Sequence, residues 1–384
     1  MRILHVVGKL DRGGAETWLV QTLRHIDRSK YQFDFLVHTE KPGAYDEEVK
    51  SLGARVIPCL APSNPVRYAR NFLRVLREYG PYDCVHSHVY HFNGFVTLLA
   101  AIAGIRVRVA HSHSARVHTD AFPRRVYMRA MRYCIARFST AGIAVSAAAA
   151  DSLFPQNWVS DKKWSLQPLG IDVERFRGGS NRPEVRNSLN LNTNAFVVGH
   201  VGRFVQSKNH QFLVDIAAEL AVINKDAHFL LIGDGTLQDS IKKLVEARGL
   251  ADAFIFTGVR SDIPDLLQAM DVFVFPSLYE GLGLAVIEAQ AAGLHCFVST
   301  RIPPEADARA NLLTRLSLDE PAKVWADRIN SGRRTTALQP LKILSTQDSS
   351  ELLARFYSDE MSSQTAKGFR RALLTGGRNG GGIA

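Results

Sequence analysis

What this chain of 384 residues lacks narrows what it can be. It has four cysteines, Cys59, Cys84, Cys134 and Cys296, far apart and without a CxxC pair. That usage argues against a disulfide scaffold or a cysteine metal site and predicts reduced core thiols in a cytoplasmic protein. Long apolar runs are missing too. The longest, "GFVTLLAAIAGI", falls short of the ~20 residues a membrane span requires, and the apolar run 3–7 is too short for a signal-peptide core, so no secretion is expected. Acidic residues are in deficit, 37 against 47 lysines and arginines, which leaves a formal charge of +10. Nucleic acid is nevertheless not the expected partner: no recognisable nucleic-acid motif occurs, and no aromatic run is interleaved with the arginines.

What is present is an ordinary globular composition, 46% hydrophobic and 22% charged, on a chain long enough for two domains. The first half alternates short apolar runs with amphipathic ones. "RILHVV", "FDFLVHT", "RVIPC", "DCVHSH", "RVRVAHSH" and "STAGIAVS" read as strands, with helices such as "AETWLVQTLRHI" and "VRYARNFLRVLREYG" between them. The stretch 169–183, "LGIDVERFRGGSNRP", has the turn residues, charges and proline of a connection between domains. Beyond it "FVVGHVGR", "AHFLLIGDG", "FIFTGV", "DVFVFPS" and "HCFVS" repeat the alternation. Two such sets predict an α/β protein of two doubly wound, Rossmann-like domains facing a cleft. The expected boundaries are 1–170, 171–355, and 356–384 as a crossover helix and a disordered, glycine-rich tail.

Ligands of doubly wound sheets lie beyond the carboxyl ends of strands, at helix starts, and four stretches meet that description. "GRFVQSKN" carries Gly202, Arg203 and Lys208 on a strand-to-helix loop, two cations suited to a diphosphate. "EGLGLAVIE" places Glu280 on a loop and Glu288 one to two turns into a helix. Between them Gly283 and Leu284 offer free backbone N–H groups at the helix start. Glu288 sits among apolar neighbours, where a carboxylate needs partners, and a pair of sugar hydroxyls would serve. "GKLDRGGAE" is neither a dinucleotide fingerprint nor a Walker loop, although Gly14 lets a phosphate or sugar approach. "HSHVYHFNG" and "HSHS" put histidines at strand ends. A His-x-His on a strand turns both rings to one face, so metal ligation, core hydrogen bonding and substrate contact all stay open, with His113 best placed for the last.

Taken together, "GRFVQSKNH", "IGDGTL", "FPSLYEGLGLAVIEA" and "PLGIDVERF" resemble the retaining glycosyltransferases of family four, of GT-B fold, over roughly residues 1–330. Within that family the likeness leans toward bacterial enzymes of capsular and exopolysaccharide synthesis. The resemblance implies roles. Arg203 and Lys208 would bind the diphosphate of a nucleotide sugar, Glu288 the ribose hydroxyls, and Glu280 the donor sugar. Gly283 and Leu284 would supply backbone donors, Gly14 would approach from the first domain, and His113, or His111 in second place, would stand near the anomeric carbon. Catalysis would rest on stabilising the leaving diphosphate. No Asp-x-Asp pair occurs in the chain, and no metal or other cofactor is expected. UDP is favoured as the nucleotide by family frequency. The acceptor would be a saccharide or a polyprenyl-diphosphate-linked saccharide. The arginines 124, 125, 129 and 132, on one side of a helical stretch, would hold the protein peripherally on an anionic membrane surface at the inner face of the cell membrane. The competing readings are a GT-B epimerase or hydrolase and a non-catalytic nucleotide-sugar-binding subunit. The segment "RIPPEADARANLL" and His295 depart from the family pattern near the donor sugar.

Overall fold

The computed structural model describes residues 1–115, 121–177, 182–192, 194–308, 310–334 and 342–376. The end of the glycine-rich tail, from 377, and residues 178–181 of the expected connection lie outside the described residues. The chain divides into two compact units, Met1–Gly170 with Leu344–Ala384, and Ile171–Ile343.

The first unit holds β1 (Arg2–Val7), β2 (Gln32–Val37), β3 (Arg55–Pro58), β4 (Cys84–Ser87), β5 (Val107–Ser112), β6 (Ala141–Ala144) and β7 (Trp164–Leu166). They form one sheet in the order β3-β2-β1-β4-β5-β6-β7, every neighbouring pair parallel. Helices cover both faces, so the central strands are buried without the polar alternation of a half-exposed sheet. On one side Leu4, Val6, Leu36 and Val85 pack with Tyr68 and Phe72 of the helix Pro65–Tyr79. The run "GFVTLLAAIAGI" is a helix within this unit, Asn93–Ile102. It lies so close to its neighbour that a Cβ on Gly94 would come 2.4 Å from the Met131 carbonyl oxygen.

The expected boundary at residue 355 falls inside a continuous helix, Thr346–Gly376. This helix belongs with the first unit because its buried face, Thr346, Ser349, Ser350, Leu353 and Tyr357, recurs at helical spacing. The Trp18 indole N–H donates to Ser349 Oγ (2.9 Å), and Tyr31 donates to the Ala354 carbonyl (3.0 Å).

The second unit repeats the plan with β8 (Phe196–Val201), β9 (Ala227–Ile232), β10 (Phe254–Phe256), β11 (Val272–Phe275), β12 (His295–Ser299) and β13 (Leu313–Leu316). The order is β10-β9-β8-β11-β12-β13, again all parallel. Its core gathers Phe229, Val272, Val274 and Phe297 with Trp325 of the helix Ala322–Asn330. In both sheets the first strand stands between the second and the fourth, so the direction of winding reverses at β1/β4 and at β8/β11. Crevices beyond the strand ends open at such reversals.

At the opposite edge of the first sheet, Asp34 gathers β1, β2 and β3. Its buried carboxylate accepts from the Arg2 guanidinium (2.9 Å), the Arg55 guanidinium (2.6 Å), the Tyr82 hydroxyl (2.9 Å) and the Arg55 backbone N–H (3.1 Å). Asp34→Ala leaves the tyrosine and the Arg55 N–H without their acceptor. It should cost about 2 kcal/mol or more, read as a lower urea midpoint at unchanged slope.

Candidate active site

In the second unit, sequence places the pieces and the β8/β11 reversal brings them together. The two strands pair only through Val272↔Val198 and Phe273↔Gly199 and then part. Where the ladder stops, His200 takes over, its Nδ1 on the Val274 carbonyl at 2.9 Å. Beyond this point the loop after β8 carries Gly202, Arg203 and Lys208, and the loop after β11 carries Glu280, Gly281 and Gly283. Two bonds tie the loops: the Leu278 N–H donates to the Ser207 carbonyl (2.8 Å), and the Asn209 amide donates to the Pro276 carbonyl (3.2 Å).

The "GDG" turn after β9 supports the first loop from beneath. The Phe204 N–H donates to the Asp234 carbonyl (2.7 Å), and the Leu237 N–H to the Phe204 carbonyl (3.0 Å). That contact demands glycine. Gly235 has φ +152, and a Cβ there would lie 2.5 Å from the Phe204 carbonyl oxygen. Behind the loop, His200 and His210 are buried, with ring centroids 4.7 Å apart, and His200 Nε2 and both nitrogens of His210 have no partner among the described residues. Burial, with Lys208 nearby, holds His210 down at about 4, so both rings are neutral at neutral pH.

Lys208, expected on the diphosphate, and Glu280, expected on the donor sugar, here hold each other. The Lys208 ammonium lies 2.6 Å from Glu280 Oε1, and it stands 4.7 Å above the centre of the Phe275 ring. Both side chains are mostly buried, 18% and 12% exposed, so neither charge is screened by bulk water. Arg203, by contrast, is exposed and has no ion pair among the described residues. The helix Leu284–Ala291 starts at Gly283, whose φ of +89 is left-handed and suits glycine. The N–H groups of Gly283 and Leu284 have no acceptor among the described residues. Glu288, the fifth residue of this helix, is half-buried. Burial pushes its carboxyl up to about 7, with the Arg175 guanidinium opposing the rise. Arg175, on the helix Val173–Arg177 packed alongside, had not been singled out in the sequence. His295 closes off on Thr314 Oγ1 at 2.8 Å.

The remaining predicted residues belong to the first unit. Gly14 is exposed and opens the helix Gly14–His25. Its neighbour Glu16 already folds over that turn: a Cβ on Gly13 would come 2.4 Å from Glu16 Oε2. A phosphate arriving there must displace that carboxylate. His111 and His113 lie in a cluster of five histidines at the β1/β4/β5 strand ends. His5 Nδ1 meets His88 Nε2 (3.0 Å), and His88 Nδ1 meets His113 Nε2 (2.8 Å). A second chain runs from the Tyr357 hydroxyl to His86 Nδ1 (2.6 Å) and from His86 Nε2 to His111 Nδ1 (3.1 Å). Burial pushes all five down, His5 and His113 to about 3, and neighbouring rings add to the fall at His86, His88 and His111, so the cluster is neutral. His5 Nε2, His111 Nε2 and His113 Nδ1 are left without partners among the described residues. Two triplets, His5/His86/His88 and His88/His111/His113, bring ring nitrogens within 4.8 Å of one another and are the groups among the described residues able to hold a metal ion. The short N···N distances equally suit the imidazole-to-imidazole hydrogen bonds of the two chains. His5 and Tyr357 escaped sequence reading because only the strand order sets His5 opposite His86.

Two doubly wound domains, with cations, carboxylates and a bare helix start at a switch point, define the GT-B class of nucleotide-sugar transferase. Residues 12–175 match the family described as Glycosyltransferase Family 4, and residues 181–332 match Glycosyl transferases group 1. The chain is 40% identical over 332 residues to EpsF of Bacillus subtilis (strain 168), which carries the name of a glycosyltransferase; the match covers 85% of this chain and 86% of that one. The chain therefore belongs to these glycosyltransferases. It is also 31% identical, over 57% of its length and 58% of the other's, to the UDP-Gal:alpha-D-GlcNAc-diphosphoundecaprenol alpha-1,3-galactosyltransferase of Escherichia coli. Among solved structures, Anabaena Alr3699/HepE in complex with UDP-glucose shares the fold, with TM-score 0.72 and 19% identity over 96% of this chain and 99% of that one.

Gly235→Ala should force the Phe204 carbonyl away. We expect a loss of about 1–3 kcal/mol of stability and faster amide exchange confined to 203–208 and 233–237. Unchanged exchange there would mean the turn does not support the loop.

Proposed function

We propose that this protein transfers a glycosyl group, with retention of configuration and without a metal ion, from a UDP-sugar to a saccharide or lipid-linked saccharide acceptor in surface polysaccharide synthesis. The observation that carries this reading is the grouping at the β8/β11 reversal: exposed Arg203, the Lys208–Glu280 pair, the open helix start at Gly283 and Leu284, and half-buried Glu288. Arg203 and Lys208 take the diphosphate. An ammonium has three donors, so Lys208 can keep Glu280 and still turn toward phosphate. The N–H groups of Gly283 and Leu284 meet phosphate oxygens, Gly202 lets them come close, and Glu288 accepts the ribose hydroxyls. As the glycosidic bond breaks, negative charge grows on the diphosphate, and cations already in position stabilise it more than they stabilise the ground state. Glu280 holds the donor sugar, Gly14 approaches the diphosphate, and neutral His113 stands by the anomeric carbon. The Escherichia coli relative, named for a UDP-sugar donor and a diphosphoundecaprenol acceptor, supports both halves of the proposal.

The protein is proposed to work in the cytoplasm against the membrane. No helix among the described residues is long and apolar enough to cross one. The helix Phe122–Phe138 instead presents an outward stripe in which Phe122, Val126 and Tyr133 are 73%, 51% and 68% exposed, beside exposed Arg125 and Arg129. Aromatic and aliphatic side chains with flanking arginines suit an anionic interface.

UDP at ~100 times its Kd should stabilise the wild-type protein by about 2.7 kcal/mol, with smaller effects of GDP and ADP and none of UDP on Glu288→Ala. Folded protein that ignores all three nucleotides would sink the donor site. Because a ribose diol favours the carboxylate, binding should pull the Glu288 pKa below its ligand-free value of about 7. UDP affinity should then rise between about pH 6 and pH 8 more steeply in wild type than in Glu288→Gln. Vesicles of mixed neutral and anionic phospholipid should retain the protein at moderate salt and release Arg125→Gln/Arg129→Gln at lower salt. Failure to retain wild type removes the membrane from the proposal.

A further inference from the structure

One cavity in the first unit is used by none of this. It has a volume of about 170 Å³ and begins one residue beyond His88, so the chain itself sets it beside the histidine cluster. Its wall comes from the turn after β4 (Val89, His91 and Phe92) and from the first turns of the helix Phe122–Phe138 (Arg124, Tyr127 and Met128). Tyr90, also in the wall, has φ +56, a backbone state costly for an aromatic residue, which holds the turn in one unusual shape.

The chemistry of the wall is that of an anion site with an apolar flank. Among the described residues the Arg124 guanidinium has no hydrogen bond or ion pair, and no carboxylate lines the cavity. His91 is 4% exposed and backs the wall, its Nε2 buried and without a partner among the described residues. Burial, joined by the Arg132 and Arg124 charges, holds the ring down at about 4, so it is neutral at neutral pH. Val89, Phe92 and Met128 supply hydrocarbon beside these polar groups. A purely apolar ligand would leave the guanidinium unused.

We propose that this cavity is the subsite for the phosphate groups of an amphiphilic acceptor, a diphosphate ester of an isoprenoid-like chain, with Arg124 on the phosphate oxygens and Phe92 and Met128 against the first carbons of the chain. The inference rests on the reading of the protein as a transferase with a lipid-linked acceptor, and it names where the acceptor's phosphates are held. Arginine pairs with phosphate through two parallel N–H···O bonds.

The test uses the full chain and three probes below any micellar concentration: farnesyl diphosphate, inorganic diphosphate and farnesol, titrated by calorimetry. Farnesyl diphosphate should bind more tightly than either half alone. Arg124→Gln, a change at an exposed position that the fold tolerates, should weaken both diphosphates at least tenfold and leave farnesol unchanged. Arg137→Gln, an exposed arginine at the far end of the same helix, should weaken farnesyl diphosphate less than threefold. Equal losses in the two variants would reduce the effect to surface charge and overturn the subsite. Inorganic diphosphate binding as tightly as the farnesyl ester would overturn the lipid assignment, and folded wild type that binds no farnesyl diphosphate would overturn the whole. UDP titrated into the same preparations reports the donor site separately, so failure of one reading is distinguishable from failure of the other.

Discussion

The reversal of strand order in each sheet is the constraint on which the rest depends. A parallel sheet must be wound by crossover helices, and where the winding changes direction two neighbouring strands release their chains to opposite faces. At β8/β11 that separation begins after two registered residues, and the space it opens is where Lys208, Glu280 and the glycine at the start of the Glu288 helix come together. At β1/β4 the same geometry collects His5, His86 and His88. The chemistry of each unit is thus concentrated where its topology leaves backbone uncovered.

The two sites solve desolvation in opposite ways. Around the second-unit loops, charge is retained by pairing: the Lys208 ammonium is balanced by Glu280 and faces the Phe275 ring. Around the first-unit strand ends, charge is refused. Five imidazoles, with no carboxylate partner among the described residues, stay neutral and bond to one another through some of their ring nitrogens, with Tyr357 of the C-terminal helix closing one chain. Glu288 lies between these extremes, half-buried with one distant guanidinium, and its carboxyl sits close to neutrality. A group poised in that way responds strongly to whatever enters beside it.

The fold class and most of the second-unit site were legible because they rest on local signals. Apolar runs of strand length, glycines at helix starts and two cations on one short loop are properties of neighbours in sequence, and Glu288 fell on its helix where the spacing put it. The short strands Trp164–Leu166 and Leu313–Leu316 were not legible, since three or four residues carry no periodicity. The boundary at 355 missed for a related reason: the helix from Thr346 keeps one helical register throughout, and its allegiance is settled by contacts with Trp18 and Tyr31, over 300 residues away.

By itself, then, the sequence determined the two βα-alternating halves, the loop cations, the glutamate pair flanking a glycine turn and the arginine-rich helix, because each is encoded within a window shorter than one βα unit. Only the tertiary structure decided that Lys208 and Glu280 are partners, that Glu16 covers the turn at Gly14, that His5 joins the histidines of β4 and β5, and that His91 and Arg124 share a cavity. Apart from Glu16, which is two positions from Gly14, those relations join residues from 33 to more than 80 positions apart through strand order and helix packing. They arise from which backbone surfaces are buried against each other, and no local pattern carries that information.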